Sequence, residues 1–334
     1  MSVDVAQSVR DTLLAALQPL VAGTRRIALL DFPAHGNVGD SAIWLGALAA
    51  LRAVGAPSPS YTCDVTTYDR AALKRKIGAG TILFTGGGSF GDLWERHLLF
   101  RERVIADFPN NRIIQLPESV HFERPESLAR SSAVFDAHPD ITILVRDAAS
   151  LAIVRREYHT PSHLVPDLAF GLGVLRRVGA PTRDILWLKR KDKEDRWPSA
   201  ATSGRGEDVI DWLDEEKTPL IAWTDHQRWQ VEQGARLGGL RRSVLALAQS
   251  RLARARMARG TALLSSARVV ITDRLHGHIM ALLLGIPHVV LDNSYGKVHR
   301  YVKEWTVGSP LVRLAASPDE ALEHARSLAA AMHD

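Results

Sequence analysis

Short apolar runs alternate with longer helical stretches along this chain, and few folds accommodate that rhythm. Residues 26–31, 61–65, 81–85, 112–116 and 141–145 read as buried strands, with a shorter one at 163–165 leading into Pro166-Asp167. Between them, residues 41–54, 71–77, 93–108 and 148–157 read as helices. Strands apolar on both faces and separated by helices belong to a parallel sheet covered on both sides. A second series follows residues 171–183, where Gly171, Gly173, Gly179 and Pro181 mark a linker. Its strands are expected at 185–189, 219–223, 268–272 and 288–291, and its helices at 206–216, 240–258, 277–284 and 318–331. The fold class is therefore α/β, with two Rossmann-like domains (residues 1–175 and 176–334) facing a cleft. The length of 334 residues agrees with two domains.

Composition removes several alternatives. Hydrophobic residues at 46% and charged residues at 24% are ordinary for a globular protein. Cys63 is the single cysteine, so neither a disulfide framework nor a Cys-rich zinc module is available. The longest apolar run, 279–291, is interrupted by Gly285, Pro287 and His288 and is too short to span a bilayer. Asp4 and Arg10 fall where a signal peptide needs apolar residues. A cytoplasmic location is expected.

The net charge of +5 is mild for a nucleic-acid binder, and no nucleic-acid partner is expected. The excess is nevertheless concentrated. No acid occurs between Gln233 and Thr272, while Arg236, Arg241, Arg242, Arg251, Arg254, Arg256, Arg259 and Arg268 all do. This stretch is either a solvated helix face or a surface for anionic headgroups or a pyrophosphate-bearing substrate. Peripheral contact at the inner face of a membrane stays open on that ground.

In open α/β sheets, ligands sit at the carboxyl ends of the strands. The first such loop is His35-Gly36-Asn37-Val38-Gly39-Asp40-Ser41, where glycines allow close backbone approach and Asp40 could bind or deprotonate a hydroxyl. The second, Thr85-Gly86-Gly87-Gly88-Ser89-Phe90-Gly91-Asp92, contains G-x-G-x-x-G, with Glu118 at the end of the next strand. That pattern admits a dinucleotide, but also a carboxylate, phosphate or sugar hydroxyl on backbone amides. The third is Thr272-Asp273-Arg274-Leu275-His276-Gly277-His278. There a guanidinium and an imidazole at a helix start can converge on one anion. Arg190 and Lys297 stand after neighbouring strands and could join them. His276 and His278 lack a third ligand at zinc spacing, so no metal is expected.

Taken in order, Gly36-Asn37-Val38-Gly39-Asp40, Gly86-Gly87-Gly88, Val145-Arg146-Asp147 with Ser150, and Arg274-Leu275-His276 followed by Gly285-Ile286-Pro287 resemble the polysaccharide pyruvyl transferase family. The stretch Leu291-Asp292-Asn293-Ser294-Tyr295-Gly296-Lys297 is similar to its exopolysaccharide branch. The likeness covers about residues 26–305. It departs at Pro117-Glu118-Ser119, where the family pattern has Gln in the middle.

The resemblance implies a GT-B-like two-domain fold. It also implies transfer of pyruvate from phosphoenolpyruvate to two hydroxyls of a saccharide, free or lipid-linked, in exopolysaccharide biosynthesis. A cyclic ketal and phosphate would be the products, with no cofactor beyond the donor substrate. The residue chemistry assigns Arg274, Arg190 and Lys297 to the donor's carboxylate and phosphate. His276 becomes the acid, and Asp40 a catalytic group toward the acceptor. Asn37, Gly87, Gly88, Ser89 and Glu118 line the acceptor side, in the first domain; the donor side is the second. Three other readings remain: a GT-B glycosyltransferase using a sugar nucleotide, a nicotinamide dehydrogenase, and a non-catalytic saccharide or phosphate binder. The chain has no D-x-D, which argues against a metal-dependent GT-A-like enzyme.

Overall fold

The computed structural model describes residues 2–191, 195–197, 208–213, 215–294 and 296–331. Its first sheet contains β1 (Ile27–Leu30), β2 (Tyr61–Cys63), β3 (Thr81–Phe84), β4 (Gly87–Gly91), β5 (Ile113–His121), β6 (Ile141–Val145) and β7 (Ser162–Leu164). The strand order is β2-β1-β3-β5-β6-β7, with β4 also pairing β5. Helices α1 (Ser2–Val21), α2 (Val38–Ala53), α3 (Arg70–Ile77), α4 (Glu95–Asp107), α5 (Pro125–Asp136) and α6 (Ala148–Glu157) accompany it. The second sheet contains β8 (Arg183–Leu188), β9 (Asp208–Ile210), β10 (Ala267–Thr272), β11 (His288–Leu291) and β12 (Val312–Ala315), in the order β12-β11-β10-β8-β9. Its helices are α7 (Pro219–Glu232), α8 (Gly239–Ser265), α9 (Leu275–Leu283), α10 (Lys297–Trp305) and α11 (Pro318–Ala330). The recorded pairings are parallel in both sheets. Both sheets are Rossmann-like, and in both the second strand lies outside the first. The chain order therefore reverses between β1 and β3, and again between β8 and β10.

Two expected elements differ. Residues 219–223, read as a strand, form the first turn of α7. Thr218 caps it by accepting from the Ile221 amide at 3.3 Å, and Pro219 takes the first helical position, where its missing N–H costs nothing. That start signal overrides a short apolar run. The helix expected at 206–216 falls partly outside the described residues, and within it Asp208–Ile210 is a strand paired with β8. The G-x-G-x-x-G of Gly86, Gly88 and Gly91 runs into β4 instead of opening a helix, so it builds no dinucleotide cradle. Four elements had no reading at all, α1, α5, α10 and β12, and β4 lies in a segment read as a loop.

The division expected at residues 175 and 176 separates the two sheets, but apolar packing crosses it. One cluster joins Leu13 and Leu17 of α1, Trp44 and Ala47 of α2 and Phe170 to Leu186, Leu188, Met280 and Leu283 of the second half. Within the first half, Gly46 lets α2 lie close against residues 168–172. A Cβ there would lie 2.0 Å from the Leu168 carbonyl oxygen, and one at Gly171 would lie 2.2 Å from the Gly46 oxygen. No described helix is long and apolar enough to cross a membrane.

A buried histidine pair holds the second sheet to its helices. His288 Nδ1 donates to the Ile286 carbonyl at 2.7 Å, which leaves Nε2 to accept from His278 Nδ1 at 2.8 Å. His278 Nε2 then accepts from the Thr306 hydroxyl at 2.9 Å. Burial pushes the His288 imidazole down to about 4 and His278 well below its ordinary value. The unfolded chain takes up a proton near pH 6.5 that folded His288 refuses until about pH 4, so its contribution is present above that window and lost within it. Asn at 288 can offer an amide to Ile286 and an oxygen to His278 without titrating. Chemical unfolding should show wild type losing about 3 kcal/mol relative to His288→Asn between pH 7 and pH 4.

Candidate active site

The loops following the two reversal points meet at one cavity of about 540 Å³. From the first sheet come Asp31, Asn37, Asp40 and Gly86–Ser89; from the second come Arg190, Arg274, His276 and Lys297. Where strand order reverses, adjacent loops splay to opposite faces and leave a crevice. Here two crevices share one volume.

One wall is the N-terminus of α2. The Asn37 side chain caps it, accepting from the Gly39 amide at 3.0 Å and donating to Asp40 Oδ2 at 2.8 Å. His35 Nε2 lies 3.5 Å from the same Asp40 oxygen. Gly39 is one point where the two halves touch closely. A Cβ there would lie 2.6 Å from His276 Nδ1, so the imidazole can rest on the helix only because residue 39 has no side chain.

His276 is held from its other side. Its Nε2 lies 3.4 Å from Asp167 Oδ2, and Arg146 Nη1 donates to that oxygen at 2.6 Å. Asp167 is fully buried at the end of the first sheet and also accepts from the Ala169 amide at 2.8 Å. Burial alone would raise its carboxyl, but His276 and Arg146 outweigh burial and hold it well below the usual carboxylate range. In return Asp167 and Glu118, against burial, keep Arg146 charged more firmly than a free arginine.

Arg274 and Arg190 are anchored by carboxylates behind them. Arg274 Nη2 donates to Asp211 at 2.7 Å, and the Arg190 amide donates to Asp273 at 2.8 Å. Burial raises the Asp273 carboxyl to about 6, partly offset by the Arg190 amide and the charges of Arg190 and Arg274. Lys189 turns away, its ammonium donating to Asp195 and to the Arg190 carbonyl. Lys297 reaches the Gly88 turn, where an added Cβ would lie 3.8 Å from its Nζ and 3.3 Å from Arg146 Nη2.

Of the residues expected at the site, Glu118 is the one not in the cavity wall. It lies wholly buried beneath the Gly87–Ser89 turn, whose Ser89 amide donates to it, and Arg101 stands 3.6 Å away. Burial pushes its carboxyl up to about 7, against the pull of Arg101 and Arg146. It supports the turn and does not touch the volume where a substrate fits. His278 also leaves the site, turned into the core toward His288. Among the described residues no group of three His, Cys, Asp or Glu is placed to hold a metal ion.

The sequence reading missed Asp31, Trp94, His97 and Trp212 among the lining residues and gave no site role to Arg146, which it had only as part of a family motif, or to Asp167 just behind. Asp31, Arg146 and Asp167 each follow a strand end, so the carboxyl-end rule applied to every strand would have found them. Nothing in the sequence marks His97, which lies inside α4.

A family model described as "Polysaccharide pyruvyl transferase" matches residues 37–295. That span starts at Asn37 and contains every expected site residue except Lys297. The chain belongs to the polysaccharide pyruvyl transferase family. "Pyruvyl transferase 1" of Schizosaccharomyces pombe is 32% identical over 314 residues, covering 87% of this chain and 72% of that one. EpsO of Bacillus subtilis is 29% identical over 309 residues, covering 90% and 92%. A crystal structure of a functionally uncharacterised protein of Klebsiella pneumoniae superposes with a TM-score of 0.61 at 17% identity, over 92% of this chain and 99% of that one, which shows the shared fold. This pyruvyl transferase thus acts in polysaccharide synthesis.

Proposed function

We propose that the enzyme transfers pyruvate from phosphoenolpyruvate to two hydroxyls of one saccharide, giving a cyclic ketal and free phosphate. The observation that carries this reading is the convergence of Arg190, Arg274 and Lys297 on the cavity beside His276. Phosphoenolpyruvate presents a carboxylate and a phosphate attached to one carbon. Planar guanidiniums engage such groups in two-point contacts, and Lys297 adds a compact charge.

His276 supplies the proton that turns the donor's CH2 carbon into a methyl group. Asp167 orients its ring. Asp40, steadied by Asn37, faces the acceptor together with the backbone of Gly87, Gly88 and Ser89. Two hydroxyl protons enter the reaction; one replaces the proton given to carbon and the other leaves on hydrogen phosphate. No cofactor is needed. The arrangement of two facing Rossmann-like sheets supports a GT-B-like description. A glycosyltransferase using a sugar nucleotide is the second reading, because the same cations would suit a diphosphate.

Phosphate release should require both phosphoenolpyruvate and a saccharide across a panel of acceptors. Arg274→Lys should lose donor affinity by roughly tenfold or more, since an ammonium cannot reproduce a guanidinium's two-point contact. Donor affinity equal to wild type would remove Arg274 from that role.

We place the reaction in the cytoplasm, at the inner face of the membrane, on a lipid-linked acceptor. The arginine-rich stretch supports this only in part. Arg242, Arg256, Arg259 and Arg268 bind the protein itself, at Asp69, Glu215, the Gly36 and Trp212 carbonyls, and Asp184. Arg251 and Arg254 are exposed on α8, and their helical spacing continues the exposed stripe Leu240, Val244 and Leu247. An apolar and cationic stripe suits an anionic bilayer surface. Charge reversal at Arg251 and Arg254 should weaken sedimentation with phosphatidylglycerol vesicles while leaving turnover of short soluble acceptors intact. Equal vesicle binding would return the stripe to a solvated face.

A further inference from the structure

A further carboxylate–histidine pair, the tightest of those at the cavity, faces it from the first sheet. Asp31 ends β1 at the reversal point. It is the one non-glycine residue with positive φ (69°) among the described residues. Such a backbone is strained and persists where the surroundings hold it. Here it turns the carboxylate toward α4, where His97 Nδ1 meets Oδ1 at 2.8 Å and Oδ2 at 3.0 Å. Arg101 Nη2 lies 3.5 Å behind, tied in turn to Ser89 and Glu118. Burial would raise the Asp31 carboxyl, but His97, Arg101 and His35 hold it below the usual range. An ionised Asp31 keeps the proton on His97 Nδ1, so Nε2 is the basic nitrogen. The ring is 28% exposed and lines the cavity.

Ketal formation needs such a group. The first acceptor hydroxyl must lose its proton as its oxygen bonds to the donor's central carbon, while the double-bond electrons take a proton from His276. His276 is giving a proton in that step and cannot take one. Resting on the phosphoenolpyruvate reading above, we propose that His97, oriented by Asp31, is the general base for the first acceptor hydroxyl. His97 Nε2 takes the hydroxyl proton as the new C–O bond forms. The carbon–phosphate oxygen bond then breaks, phosphate leaves with its electron pair, and the His97 proton departs with it as hydrogen phosphate. The second hydroxyl closes the ketal and its proton restores His276. All protons are accounted for and both histidines return to their starting states. Beside the looser Asp40–His35 contact, the cavity thus carries Asp167–His276 as acid and Asp31–His97 as base.

The test compares wild type, His97→Gln and Asp31→Asn by phosphate release with phosphoenolpyruvate and a saccharide acceptor. Asn tolerates a left-handed backbone, so Asp31→Asn keeps the turn and removes only the charge. Thermal unfolding of each variant checks the fold, and a His97→Ala variant with added imidazole provides a second route. His97→Gln should lower kcat by about 10²- to 10⁴-fold with both KM values little changed. The acid limb of the wild-type kcat profile, which reports a base losing activity on protonation, should disappear. Asp31 meets that ring, Arg101 and His35 act on the same carboxylate, and Glu118 lies 3.6 Å from Arg101. Imidazole should restore part of the His97→Ala rate. Wild-type kcat in His97→Gln, a loss confined to acceptor KM, or an unchanged acid limb would each overturn the base assignment while leaving the phosphoenolpyruvate reading intact. Absence of phosphate release by wild type itself would instead overturn the reaction reading, and the base with it.

Discussion

The carboxylate of Asp167 is the interaction on which the rest of this site depends. It belongs to the first half of the chain, yet one of its oxygens meets both Arg146 of that half and His276 of the other. Its amide donates to the Tyr301 hydroxyl at 3.0 Å, which brings α10 into the same knot. A fully buried carboxylate is tolerable only when its charge is matched and its lone pairs are used. Arg146, His276 and the Ala169 amide do both. Removing any one partner would leave an uncompensated charge in the interior, so the geometry of the two halves and the charge balance of the site are one requirement.

The shared apolar core serves the same end. Two sheets joined only by a linker would be free to hinge, and the close seating of His276 against Gly39 could not be kept. Packing α1 and α2 against residues of the second half fixes that seating. Chemistry in which a proton, a hydroxyl and a carbon must align gains most from such fixed positions. The carboxylates behind Arg274 and Arg190 act likewise. Asp211 holds the Arg274 guanidinium, Asp273 holds the Arg190 backbone, and both charges limit the repulsion among the cations.

Much of the fold was legible because parallel strands buried on both faces leave continuous apolar runs, as at 141–145. What misled was local. Thr218 and Pro219 start a helix more strongly than a short apolar run starts a strand, and β4 hides in a glycine-rich segment read as loop. At the site, His276, Arg274 and Asp40 were visible because each follows a strand within a dense motif. Glu118 shared that position, but its side chain turns under the loop, a fact that spacing does not carry. Asp31 and Asp167 are single residues in unremarkable surroundings, and His97 is an ordinary helical residue until α4 is laid against β1. Pairings between residues 66 or 109 positions apart exist only in three dimensions.

Carbon-bound hydrogen is the most direct witness to the central claim. With the reaction run in D2O, phosphoenolpyruvate as donor and a saccharide as acceptor, NMR or mass spectrometry reads the pyruvyl methyl of the product. Ketal formation by protonation of the donor's CH2 carbon predicts a methyl group carrying one solvent deuterium. A pyruvyl methyl without deuterium, or a saccharide product formed only from a sugar nucleotide, would contradict it.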